Sequence, residues 1–400
     1  MTGLADGSWV GAFLDAHADE LVAFRRHLHA HPELSDAEVL TTELIAERLR
    51  IAGLEPTVLS SGTGLICDLG PASGPRVALR GDIDALAMDD TTSAPYRSTV
   101  AGVAHGCGHD LHATVVLGAG LALAQHGVGG VRLVFEPAEE SVPGGAVTVI
   151  ADGALDDVGV IYGMHADPKL DVGRVGVRSG PLTAAADIIE IELRGPGGHT
   201  ARPELTVDLV AEAARIAARL PELVAGGDDR ASDDELDRRL HLVFGALQTG
   251  DAANVIPTTA LLRGSVRTAD AERWRSAEQV VCGALESLVD DPRMDVECRY
   301  RRGVPPVVNS PGVAARATAV ATRLLGEDGV VVPPRSRGGD SFAWYLEQVP
   351  GCYVRLGVHD PDGGAVRRDL HSGAFDVDDR AIAVGIELMV ALVEDHMGGA

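Results

Sequence analysis

The stretch Val131-Arg-Leu-Val-Phe-Glu-Pro-Ala-Glu-Glu140 carries a short apolar run into a proline and then into two adjacent carboxylates. A run this short, rich in Val, Leu and Phe and closed by Pro137, reads as a strand, because Pro would break a helix continued through it. Similar runs stand at 64–69, 76–80, 158–164 and 352–358. They alternate with helical apolar spacing at 14–29, 37–49, 111–125, 312–325 and 375–394. The alternation predicts an α/β fold with a helix-flanked mixed sheet, whose binding crevice lies at the strand ends.

Metal-ligand side chains gather at those ends: Cys107 and His109 within His105-Gly-Cys-Gly-His-Asp110, then Glu139-Glu140, His165 and His371. Cys, His and carboxylate hold divalent transition metals, so their recurrence predicts a hydrolytic metal centre. Cys107 and His109 stand two apart and project to one side in an extended or tightly turned segment, with Gly106 and Gly108 letting the backbone approach an ion. Adjacent glutamates project differently, so one can bind metal while the other handles protons. Glu139 is assigned as the base and Glu140 as the ligand. His27, His29, His31, His105 and His112 read as caps, hydrogen-bonding groups or solvated neighbours of the site.

Between about 184 and 300 the rhythm changes to βαββαβ, with strands at 187–193, 242–247, 259–266 and 294–300 and helices at 207–220 and 271–288. That order is the ferredoxin-like, split βαβ unit. It marks an inserted α+β domain at 184–300, so residues 1–183 and 301–400 are expected to fold together. The acidic stretch Asp228-Asp-Arg-Ala-Ser-Asp-Asp-Glu-Leu-Asp237 reads as a solvated connector.

Composition bounds the function. A hydrophobic content of 46% over 400 residues can bury a large core, and 59 acidic against 34 basic residues leave a net charge of −25. Such a charge disfavours nucleic acid and anionic membranes as partners. The most apolar helix candidate, 113–124, is too short to span a bilayer. Five cysteines without a CxxC pair, and an N-terminus with no basic segment before an apolar core, predict a cytoplasmic protein without a disulfide framework.

Arg26-His-Leu-His-Ala-His-Pro-Glu-Leu-Ser35, Leu79-Arg-Gly-Asp-Ile-Asp-Ala-Leu86, His105 to His112, Glu136 to Glu140, Asn254-Val-Ile-Pro257 and Leu370-His371 together resemble the dinuclear metallo-amidohydrolases. That family includes hippurate hydrolases, aminoacylases, auxin-amino-acid hydrolases and related carboxypeptidases. The resemblance runs in order from about residue 20 to near 390. It implies two divalent metal ions held by Cys107, His109, Glu140, His165 and His371, with the Cys107 thiolate bridging where relatives use Asp. It implies that Asp82 and Asp84 orient a ligand histidine, and that the insert is a lid and dimerisation domain making a homodimer. His199, in Gly195-Pro-Gly-Gly-His199, is similar to a histidine that steadies the oxyanion, often across a dimer interface. Asn254 and Arg267 resemble the groups that hold the substrate carboxylate.

The expected activity is hydrolysis of the amide bond of an N-acyl amino acid or similar small amide. A dipeptidase or carboxypeptidase using the same chemistry is the second reading, and a silent binding protein that kept the fold is the third. Thiolate and imidazole suit zinc, while manganese, cobalt and nickel also occupy such sites. Thr200-Ala-Arg-Pro-Glu204 replaces the Pro-His pair many relatives carry after the glycine-rich histidine, and Gly339-Asp-Ser-Phe342 replaces a more common Glu-Asp-Phe.

Overall fold

In the computed structural model, which describes residues 8–226, 239–362 and 366–398, the apolar runs of the outer segments pair into an eight-stranded mixed sheet. The strand order is Thr57–Val58, Leu65–Leu69, Val131–Glu136, Arg76–Asp82, Val158–Asp171, Gly351–His359, Val175–Gly176 and Val330–Val331. Four central neighbours, from Val131–Glu136 to Gly351–His359, run parallel. Parallel strands covered on both faces are buried along their length, as Val131–Glu136 is, and its two charged residues are paired, Arg132 with Asp68 and Glu136 with Arg80.

The helix His109–Gln125 is buried on nearly every side. It packs tightly because Gly118 and Gly120 carry no side chain: an added Cβ would come within 2.4 Å of Ile386 and 2.3 Å of Leu133. The first helix, Trp9–Ala30, starts earlier than the apolar spacing predicts, because Ser8 Oγ accepts a hydrogen bond from Gly11 N at 3.0 Å and caps it. The last helix, Arg380–Gly398, starts later than the expected position 375. Phe375 and Val377 are buried ahead of it, and the Asp378 side chain accepts from Arg380 N at 2.9 Å.

The inserted segment forms a four-stranded antiparallel sheet in the order His241–Thr249, Thr259–Arg267, Ala186–Arg194 and Asp295–Val304. Its helices, Leu209–Ala225 and Ala271–Glu286, open on Asp208 and Asp270 caps. Ile216, Leu220, Val281 and Leu285 from these helices share one core with Ile189, Ile191, Leu193 and Leu262 of the sheet. The element order is βαββαβ.

The chain divides into two compact units: residues 1–180, 308–334 and 341–400 form the larger, and 181–307 with 335–340 form the smaller. The short return at 335–340 differs from the expected boundary, and hydrogen bonds explain it. Ser336 N donates to Leu182 O at 2.9 Å, Ala184 N to Gly338 O at 3.2 Å, and Arg267 Nη1 to Arg337 O at 2.6 Å. The stretch 228–237 lies outside the described residues. Among the described residues, no helix is long and apolar enough to cross a membrane.

Candidate metal centre

Parallel register brings the ligand-bearing segments to one edge of the large sheet. Asp82 pairs with Glu136, and Arg80 pairs with Gly163, so His165, two positions on, stands level with Asp82. Gly108, at φ +85°, turns the chain into the helix that begins at His109, and leaves Cys107 beside that helix start. His371, also in the left-handed region at φ +59°, donates its backbone N–H to Gly106 O at 2.8 Å. This bond brings residue 371 to Cys107.

The side chains converge. Cys107 Sγ lies 3.4 Å from His165 Nε2, and His371 Nε2 lies 3.2 Å from Glu140 Oε1. Cys107 belongs to two groups whose ligand atoms all lie within 4.8 Å of one another, one with His109 and His165, the other with Glu140 and His371. His109 Nδ1 donates to the Asp84 backbone oxygen at 2.9 Å and approaches Asp84 Oδ1 at 3.1 Å. That leaves Nε2 facing the cluster, buried and without a hydrogen-bond partner. A buried imidazole nitrogen without a partner, among thiol, imidazole and carboxylate groups, fits a metal ligand set.

The two glutamates approach each other more than extended backbone would allow. Glu139 Oε2 lies 4.0 Å and Glu140 Oε1 3.9 Å from His109 Nε2. The strand ends at Glu136 and Ala138 adopts φ +53°, so residues 139 and 140 sit in a turn rather than on opposite faces of a strand. The Glu38 carboxylate accepts from Ala138 N at 2.7 Å and pins that turn. Each glutamate is then tethered separately: Ser341 N donates to Glu139 Oε1 at 3.0 Å, and Glu140 N donates to Asp84 Oδ2 at 3.0 Å.

The acidic pair divides its work. Asp84 orients His109, whereas Asp82 Oδ1 receives a 2.6 Å bond from His112 Nδ1 and stands 3.8 Å from His109 Nε2. His112 Nε2 accepts from Ala166 N at 2.8 Å, so its proton is on Nδ1. His112 is therefore a buried brace between Asp82 and the strand that carries His165. Sequence reading left it among the bystanders. The signal was its place three residues after His109, one helical turn along the same face.

Electrostatics follow from burial and neighbours. Burial alone would push His109 down, yet Asp82, Cys107 and Asp84 hold its pKa well above the usual histidine value. Burial, then His112 and Arg355, hold His165 well below it, so that ring stays neutral and its lone pair is available. Burial pushes the Cys107 thiol up. Behind the site, Arg80 Nε donates to Glu136 Oε2 at 2.6 Å and Arg80 Nη2 to Ser341 Oγ at 3.0 Å, bracing the segment that tethers Glu139. Arg25 Nε donates to Asp110 Oδ2 at 2.7 Å, and Arg25 Nη2 to Asp376 Oδ1 at 2.6 Å. Neither arginine was picked out from the sequence, because Glu136 and Ser341, which hold Arg80, and Asp110 and Asp376, which hold Arg25, come from distant segments.

The other candidates lie in the smaller unit. The ribbon Gly198–His199 pairs with Val255–Ile256, with His199 opposite Val255, and Thr200 N donates to Asn254 O at 3.3 Å. His199 and Asn254 are thus neighbours, both exposed. His199 Nδ1 accepts from Ala201 N at 3.0 Å, so in the neutral ring the proton is on Nε2. Arg267 is not with them. It ends the strand that follows the ribbon and lines a cavity of about 300 Å³ with His241, Arg335 and Arg337.

Residues 78–395 match the peptidase family M20/M25/M40. The chain is 35% identical over 369 residues to the N-acetyl-L-cysteine deacetylase of Bacillus subtilis (strain 168), covering 91% of this chain and 85% of that protein. It is 42% identical over 399 residues to a Rhodococcus jostii (strain RHA1) protein named for glutamate–cysteine ligase activity, and covers 98% of this chain. The chain spans about half, 49%, of that relative's length. Among solved structures, the Bacillus subtilis YXEP protein, described as a dinuclear metal binding peptidase from the M20 family, superposes with a TM-score of 0.83 at 32% identity, covering 96% of this chain and 99% of that one.

Proposed function

We propose that this chain, which belongs to peptidase family M20/M25/M40, is a metal-dependent amidohydrolase using two divalent metal ions, and that its substrates are N-acyl amino acids, hydrolysed to a carboxylic acid and a free amino acid. The observation that carries this reading is the buried, unpartnered His109 Nε2 facing Cys107, Glu140 and His165, with Glu139 tethered beside it. The deacetylase named above acts on a substrate of this class.

Cys107, His109, Glu140, His165 and His371 would hold the ions, and the presence of Cys107 in two ligand groups supports its sharing between them. When bound, the ions supply Lewis-acid polarisation of the amide carbonyl and lower the pKa of water. Glu139 takes the proton of the attacking water and returns it to the leaving nitrogen. The Ser341 N–H on Oε1 fixes that carboxylate so that Oε2 faces the reaction. His199 Nε2–H donates to the developing oxyanion, and Asn254 and Arg267, which stand apart within one chain, hold the substrate carboxylate together where two chains share a site. We assign the smaller unit as lid and dimerisation domain, with His199 acting on the partner's site in a homodimer. A reducing cytoplasm fits a thiol ligand at Cys107, which binds metal only while unoxidised.

Amino-acid release from a panel of N-acyl amino acids and dipeptides, after reconstitution with zinc, manganese, cobalt or nickel, tests the reading. Turnover of N-acyl amino acids above dipeptides is expected. Preference for dipeptides would favour peptidase action, and no release by the metal-loaded chain would favour a silent binding protein.

A further inference from the structure

Two of the five cysteines meet. Cys282 and Cys298 stand sixteen positions apart, on the helix Ala271–Glu286 and the strand Asp295–Val304, and their sulfurs lie 2.7 Å apart. A disulfide needs about 2.05 Å, so roughly 0.7 Å of approach remains, within reach of side-chain rotation. Both thiols are half-buried, whereas Cys67, Cys107 and Cys352 are buried. Burial and the adjacent Cys282 thiol push the Cys298 pKa up, which disfavours its thiolate. The place matters too. Among the described residues, Asp295–Val304 is an edge strand, bonded to the sheet through Ala186–Arg194, with Cys298 opposite Ile191. An edge strand is among the first elements released by local opening, and the helix that carries Cys282 packs Val281 and Leu285 into the same core.

We propose that Cys282 and Cys298 form a reversible disulfide that staples this edge strand to the helix Ala271–Glu286, with a small-molecule disulfide as the oxidant. Cys282, giving up its proton, attacks one sulfur of the small disulfide, forming a mixed disulfide and releasing a small thiolate that takes up a proton. Cys298, deprotonated as it attacks, then displaces the second small thiolate from Cys282, which is protonated in turn. Two protein thiols are oxidised, one small disulfide is reduced to two thiols, and one S–S bond is exchanged for another. In a reducing cytoplasm such a bond forms only when the thiol pool is oxidised, which makes it a redox-responsive staple rather than a framework bridge.

The test uses the metal-loaded full chain, incubated with oxidised or reduced glutathione, alkylated and mapped by peptide mass spectrometry without reduction. A Cys282–Cys298 linked peptide lighter by two hydrogens is expected in the oxidised sample only. The same sample should show an unfolding midpoint for the smaller unit raised by about 4 °C or more, reversed by dithiothreitol. C282S and C298S should each lose the shift and keep the midpoint of the reduced protein. If either variant fails to fold, the linked peptide and midpoint of the unmodified chain decide alone. Persistent glutathione on one cysteine, or no linked peptide, would overturn the proposal. A linked peptide with an unchanged midpoint would overturn the staple.

Discussion

The metal-centre edge of the larger unit and the His199–Asn254 ribbon of the smaller one hold their functional groups in opposite ways. At the metal centre, His109 and His165 are buried, and His109, Glu139 and Glu140 are each tied by a separate hydrogen bond to a distant segment. On the ribbon, His199 and Asn254 are exposed, and the His199 side chain accepts from the N–H of Ala201, two residues on in the same exposed segment. A buried polar group is costly unless its neighbours are placed for it, so the metal centre is organised by the protein before any ligand arrives. The exposed groups depend on what binds them.

The largest expected effect breaks the buried side of that contrast. Glu139→Gln should lower turnover at least about a hundredfold while metal content, measured by plasma emission spectroscopy, stays at the wild-type level, since the proton shuttle is lost and the ligands remain. Near-normal turnover would remove Glu139 as the base. Next comes the exposed side: His199→Ala should cost about a hundredfold in turnover and leave metal content unchanged. Mixing it with Glu139→Gln chains should restore part of the activity if one site uses the base of its own chain and the histidine of its partner. Verified mixed dimers with no recovery would make His199 local or structural.

Asp84→Asn sharpens the account of the buried site, because it weakens the acceptor that fixes the His109 ring. About tenfold weaker metal binding in a competitive chelator titration is expected, and unchanged affinity would show that the Asp84 backbone oxygen suffices. The smallest effect concerns burial without a partner. Glu387 Oε2 is buried with no hydrogen bond, and burial pushes the carboxyl up to about 7 from 4.5. Between those values the unfolded chain loses its proton and the native chain keeps it, so this group's contribution to stability falls as pH rises from 4.5 to 7. Glu387→Gln should therefore gain about 1 kcal/mol over the wild type at pH 8 relative to pH 4.5 in urea unfolding, a value reduced for solvent screening. A pH-independent difference would refute the shift.

Local rules reached much of this protein from the sequence. The strand ending at Glu136 and the apolar runs of the large sheet follow from short Val- and Leu-rich segments closed by Pro or Gly. The βαββαβ order of the insert follows from a change of period, and the five candidate ligands, whose side chains the structure brings together, were picked out by side-chain chemistry and ordered motifs. Helix limits were less legible, since Ser8 and Asp378 set them by capping, which outweighs apolar spacing at the ends.

What only the tertiary structure decided is which groups share a partner. Asp82 and Asp84 look alike in Leu79 to Leu86, yet one holds His112 and the other His109, because strand register and the start of one helix set the distances. The return of 335–340 to the smaller unit, the separation of Arg267 from Asn254, and the meeting of Cys282 with Cys298 are of the same kind. Sequence determined the residue types and the periodicity, because these act over a few neighbours. Pairing across tens to hundreds of residues depends on how twisted sheets and packed helices bring distant segments together, and that geometry belongs to the whole fold.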